Sequence, residues 1–150
     1  MKKKYKCKLL PYTKTKYVSL LNSNQKTGWG ITAFDLPKAW QVTQGDGIKI
    51  AVLDTGADLD HQDISENLLQ GINLIEKNSP PEDDNGHGTH VTGILVASNN
   101  DIGMVGVCPK AKVIPVKILD KNGNGNLFLV SDGIRWAADQ GVDFITMSLG

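Results

Sequence analysis

The chain has 150 residues, 40% of them hydrophobic and 21% charged, which is the composition of one modest globular domain. No apolar run approaches membrane-spanning length, and no apolar stretch follows Met1-Lys2-Lys3-Lys4 to make a secretory leader, so neither a membrane partner nor export is expected. Formal net charge is zero, but seven of the 16 basic residues fall in 1–16 and all 16 acidic residues in 17–150. A basic arm joined to an acidic body either docks on it or stays a solvated tail, and no nucleic-acid partner is expected.

In chain order, residues 1–24 read as an amino-terminal extension and 25–150 as the body. Cys7 and Cys108 form no CxxC pair and read as two free thiols in a reducing, cytoplasmic compartment. Leu21 to Gly30 is polar and glycine-containing, and reads as a linker. Asp35-Leu36-Pro37-Lys38-Ala39-Trp40 has the signature of a short helix, with Asp35 as cap and Pro37 in the first turn. Ile48 to Leu53 is a nearly continuous apolar run, as in a central parallel strand. Glu76 to Gly86 is a polar loop. Val91, Ile94 and Leu95 predict one apolar helix face, with Gly93 permitting close packing. Lys112 to Leu119 predicts a strand, and Lys121 to Asn126 a turn. Leu127 to Gln140 predicts a helix ended by Gly141. Val142 to Leu149 predicts another buried strand. This alternation implies an α/β fold, a parallel sheet with helices on both faces. Functional groups in such sheets gather at the carboxyl ends of the strands.

Two segments carry chemistry. Val52-Leu53-Asp54-Thr55-Gly56 puts a carboxylate at the end of a buried strand. Asn85-Gly86-His87-Gly88-Thr89-His90-Val91-Thr92-Gly93 puts a histidine where a loop turns into a helix. A serine hydroxyl is a weak nucleophile and needs a base, and imidazole titrates near neutrality. A carboxylate on its other nitrogen fixes the tautomer and stabilises the imidazolium. His87 suits the first role and Asp54 the second.

These segments, with Ile145-Thr146-Met147-Ser148-Leu149-Gly150, resemble the subtilisin family of serine proteases over about Gln25 to Gly150. The resemblance implies an Asp-His-Ser triad in that chain order, with Asp54 as orienting carboxylate, His87 as general base and His90 as a structural residue. Thr92 stands where many members have alanine. It also implies that an extended polypeptide substrate lies between Ser148-Leu149-Gly150 and Gly123-Asn124-Gly125, bound through main-chain hydrogen bonds, with Leu127 lining a subsite. A stabilising calcium is implied at Gln25, Asp63, Ser98, Asn100, Ile102 and Met104, side-chain and carbonyl oxygens of the hard type that calcium takes. Leu9-Leu10-Pro11-Tyr12 is similar to the Leu-Ile-Pro-Tyr element of intracellular members, where a short extension lies across the cleft and silences the enzyme.

The seven serines are Ser19, Ser23, Ser65, Ser79, Ser98, Ser131 and Ser148. None lies in the family's Gly-Thr-Ser-Met-Ala pattern, and the oxyanion-hole asparagine is also absent. The expectation is therefore the amino-terminal part of a longer catalytic domain, inactive alone. Two other readings compete. One is a pseudoenzyme or fragment that only binds. The other follows Leu53-Asp54-Thr55-Gly56-Ala57-Asp58, which also resembles the active-site turn of the dimeric all-β aspartic proteases of retroviruses.

Overall fold

A computed structural model describes residues 6–9 and 25–150 of the chain. Its centre is a four-stranded, all-parallel sheet in the order β3-β4-β2-β6. The strands are β2 (Lys49–Asp54), β3 (Ile72–Asn73), β4 (Lys112–Lys117) and β6 (Phe144–Thr146). β2 pairs with β4 from Lys49↔Lys112 to Asp54↔Lys117 and with β6 from Ile50↔Phe144 to Val52↔Thr146. A shorter antiparallel pair joins β1 (Lys6–Lys8) to β5 (Asn124–Asn126).

The apolar run of β2 is continuous because both faces of the strand are covered. Ala51 and Leu53 pack into one core with Ile114, Val116 and Ala137, the last from helix α4 (Leu127–Asp139). Ile50 and Val52 point the other way, into a core with Val113 and Val96, the latter from helix α3 (His87–Val96). Successive side chains of a strand alternate faces, so one six-residue strand feeds two cores. Two helices on opposite faces of a parallel sheet exclude the all-β aspartic protease reading.

Several local expectations change. Asp35 precedes the short helix α2 (Leu36–Ala39), but its side chain caps nothing. It sits at φ 52°, and its N–H donates to Thr32 O, closing the preceding helix α1 (Trp29–Ala33). The stretch read as a linker thus enters a helix only at its end, at Trp29, and Lys26 bridges to Met104. In α3, Val91 and Leu95 pack on the sheet while Ile94 is exposed. Gly93 faces open space; the glycine that packing requires is Gly88, where a Cβ would stand 2.0 Å from Gly56 O. β6 is shorter than expected and only partly covered, with Phe144 61% exposed, because it is the edge strand of the sheet. The glycine-rich turn is part strand: Asn124–Asn126 form β5. The other predicted strands and helices lie where the sequence places them, within two residues at each end.

Candidate active site

Asp54 is the last residue of β2, and His87 is the first of α3. The parallel crossover from one to the other brings both to the carboxyl end of the sheet. His87 Nδ1 lies 2.8 Å from Asp54 Oδ1 and 2.9 Å from Oδ2. Asp54 is 1% exposed, and its Oδ1 also accepts the Thr55 N–H at 2.7 Å. A buried carboxylate needs such partners to stay ionised. With Nδ1 committed to the carboxylate, the ring's proton-accepting nitrogen is Nε2, the arrangement a general base requires.

A second carboxylate, which sequence reasoning left inside a polar loop, organises the histidine. Asp83 Oδ1 accepts from Thr55 Oγ1 at 2.7 Å, Asn85 N at 3.0 Å and Gly86 N at 2.9 Å. Its Oδ2 accepts from Thr89 N at 2.9 Å and Thr89 Oγ1 at 2.6 Å. Burial pushes the Asp83 carboxyl up, but these bonds from Gly86, Thr89 and Thr55 outweigh it and hold the group below its ordinary range. The signal available in the sequence was positional: an Asp just before a helix start is the residue type that satisfies orphan amide donors. Lys117, at the end of β4, is also buried. Its Nζ donates to Thr55 O at 2.5 Å and Asp84 Oδ1 at 2.7 Å. The turn after Asp54 is thus held through the Thr55 carbonyl and hydroxyl alike.

The proposed substrate edges are brought together. Between Gly123–Asn126 and Gly150 runs β1, the amino-terminal arm. It pairs Cys7↔Gly125 and Lys8↔Asn124 on one side. Leu9 N donates to Gly123 O at 3.0 Å. On the other side, Lys8 N donates to Gly150 O at 3.0 Å and Gly150 N to Lys8 O at 2.9 Å. Cys7 and Leu9 point inward and join the core that Leu149 packs against. A Cβ on Gly123 would meet Leu9 Cδ1 at 2.8 Å, so that glycine admits the arm; one on Gly125 would meet Ile118 O at 2.5 Å before Cys7 Sγ at 3.1 Å, so that glycine serves the packing of β5 on the body as well. Ser148 is exposed; Leu127 opens α4, half-exposed, and its neighbour Phe128 borders the arm together with Asn124 and Asn126. Of the four arm residues singled out, Leu9 is seated here; Leu10, Pro11 and Tyr12 lie outside the described residues. Cys7 and Cys108 are free thiols, each pushed up by burial.

The proposed calcium ligands also converge in part. Gln25 Nε2 donates to Ser98 O and to Met104 O, the latter at 3.0 Å. Asp63 is buried; its Oδ2 accepts Met104 N at 2.9 Å, while Oδ1 has no partner. Asn100 Oδ1 accepts Ile102 N at 3.3 Å within the loop. The carbonyls of Ser98 and Met104 and the orphaned Asp63 Oδ1 are oxygens of the type a hard cation takes, whereas Asn100 Oδ1 is turned to Ile102 N.

Comparison with known proteins follows this geometry. The sequence model of the Subtilase family matches residues 45–150. Thermitase of Thermoactinomyces vulgaris is 41% identical over 81% of this chain and 44% of its own length. The intracellular serine protease of Paenibacillus polymyxa is 40% identical over 97% of this chain and 45% of its own. The major intracellular serine protease of Bacillus subtilis (strain 168) is 37% identical over 95% and 46%. The chain thus spans less than half the length of these curated relatives.

The depressed Asp83 carboxyl sets a direction for acid stability. Its folded value lies below its unfolded one, so the stabilisation is full above the unfolded value, about pH 4, and is lost as pH falls through the folded value. Asp83→Asn is expected to flatten that part of the stability curve, measured by urea unfolding at a series of acid pH values. Parallel curves for the two proteins would contradict it.

Proposed function

The chain belongs to the subtilase family, and we propose that it supplies the aspartate and histidine of a serine endopeptidase that cleaves polypeptides through an Asp-His-Ser triad. The observation that carries this reading is the His87 Nδ1 contact with both oxygens of buried Asp54. In the mechanism, the serine hydroxyl loses its proton to His87 Nε2 as it attacks the peptide carbonyl. The imidazolium so formed is stabilised by Asp54, which stays ionised. His87 then returns the proton to the leaving amine. The serine and the oxyanion-hole donor belong to no motif in these 150 residues, which span less than half of the relatives' length, so the proposed activity is that of a complete catalytic domain. Two relatives are named intracellular proteases, and a site of action inside the cell is part of the reading.

Substrate is bound as an added strand, and the placement of β1 supports this. An extended chain takes main-chain hydrogen bonds from Gly123–Asn126 on one side and from Gly150 on the other, with alternate side chains inward. Because the arm occupies that position, it competes with substrate and keeps the enzyme silent until it is displaced or removed. Proline at position 11 removes an amide donor and fixes φ, which suits a segment that must resist cleavage. Gln25, Asp63, Asn100 and the carbonyls of Ser98, Ile102 and Met104 would hold a calcium ion, whose fixed positive charge would tie the segment at residue 25 to the 98–104 loop.

Three outcomes are expected in the full-length protein. His87→Ala and Asp54→Asn each lower turnover by ~10³-fold or more, since triad members act as a unit; near-normal peptide hydrolysis by either variant refutes the assignment. Deleting residues 1–24 raises the initial rate of peptide hydrolysis and abolishes any lag, whereas identical progress curves from time zero count against the inhibitory arm. Chelation of calcium lowers Tm, because a ligand bound only by the folded state stabilises it, and Asp63→Ala blunts that response. A melting curve indifferent to chelator removes the site.

A further inference from the structure

The Asp83 carboxylate reaches both sides of the Asp54–His87 pair, each time through a threonine hydroxyl. Thr55 Oγ1 donates to Asp83 Oδ1 and accepts the Gly88 N–H at 2.9 Å. Thr89 Oγ1 donates to Asp83 Oδ2 and accepts the Asp58 N–H at 2.9 Å. Thr55 and Asp58 belong to the turn that follows Asp54; Gly88 and Thr89 belong to the helix turn that carries His87. The two hydroxyls therefore cross-link the turns, with one carboxylate as their common acceptor. Asp83 also caps the amides of Asn85 and Gly86, directly before the histidine.

We propose that Asp83 and Thr55 are positioning residues of the catalytic pair: the carboxylate–hydroxyl clamp sets how His87 meets Asp54 and hence where Nε2 points. The proposal rests on the protease reading above. Asp83 touches no reacting atom. It acts by fixing the register of α3's first turn against the turn after β2. An amide at position 83 cannot replace it. All five contacts are donors aimed at the two oxygens, so the amino group of an asparagine would face N–H or O–H groups wherever it turned. A glutamate is one methylene too long for the same bonds. Thr55→Val is the more selective probe. It keeps the shape of the side chain and every Asp83 amide contact, and removes the hydroxyl that links Asp83 Oδ1 to Gly88 N.

The test uses the full-length protein with both variants, Asp83→Asn and Thr55→Val. Active sites are counted with a serine-directed reagent, so turnover is read per folded site. A histidine Nδ1 proton shared with a carboxylate gives a far-downfield NMR signal, which reads the His87–Asp54 bond directly. The expected result is kcat per titrated site lowered about 10- to 100-fold by Asp83→Asn, the scale of a small misplacement in a catalytic group, with KM within about twofold. Thr55→Val changes kcat in the same direction by less. In both, the downfield proton shifts or broadens, whereas a purely structural role would lower the number of sites and leave the signal of the folded molecules in place. An unmoved proton in both variants overturns the proposal, whatever the turnover. So does a shifted proton with unchanged kcat per site. A wild type that hydrolyses no peptide fails the protease reading instead, and the proton signal then decides this proposal alone.

Discussion

Gly88 has no room for a side chain: a Cβ there would stand 2.0 Å from the carbonyl oxygen of Gly56. A Cβ on Gly56 in turn would meet Pro81 O at 2.4 Å, and that residue has φ 106°. The turn after β2, the loop before α3 and the first turn of α3 are thus stacked backbone on backbone, at a distance that only glycine tolerates. Asp54 lies two residues before one of these glycines and His87 one residue before the other. Their hydrogen bond follows from that approach. Long flexible side chains could reach one another from many backbone arrangements. A short carboxylate and an imidazole meeting Nδ1 to both oxygens need their Cα atoms held closely.

Other contacts hold the same turns. Lys117 fills the space under the turn and donates to the Thr55 carbonyl, with Asp84 balancing its charge. A buried ammonium left without partners would be costly. Asn85 Nδ2 donates to Lys121 O at 2.9 Å, tying the histidine loop to the segment that leads into β5. The loop that carries His87 and the segment that leads into β5 thus share a hydrogen-bonded frame.

The arm is joined to the same frame. Its inward residues, Cys7 and Leu9, are each 6% exposed and complete an apolar core otherwise made by Ile118, Leu119 and their neighbours. Its backbone satisfies the outer amides and carbonyls of β5 and of Gly150. An unpaired strand edge is a template for any extended chain. Here the chain's own amino-terminal segment takes that place, with its lysines outward and its apolar side chains inward, as strand alternation dictates.

The local order of the fold was legible in the sequence. The two apolar strands at Ile48–Leu53 and Lys112–Leu119, the helix closed at Gly141 and the paired motifs at Asp54 and His87 depend on periodicity and residue type over a few positions. So does the α/β class, since alternating strands and helices leave few other ways to bury both faces of a sheet. Tertiary structure decided the rest. Asp83 looked like one acid among several in a polar loop, and only the fold brought Thr55, 28 residues away, to its carboxylate. Gly93 and Gly88 both lie in α3, but one faces open space and the other a carbonyl from another turn. The arm's strand was missed: Lys6-Cys7-Lys8-Leu9 alternates polar and apolar, but so short a run does not say what it pairs with, and only the fold brings β5 and Gly150 to it. Short-range patterns encode what a segment buries. Which distant backbone group stands opposite it is set by the packing of the whole chain.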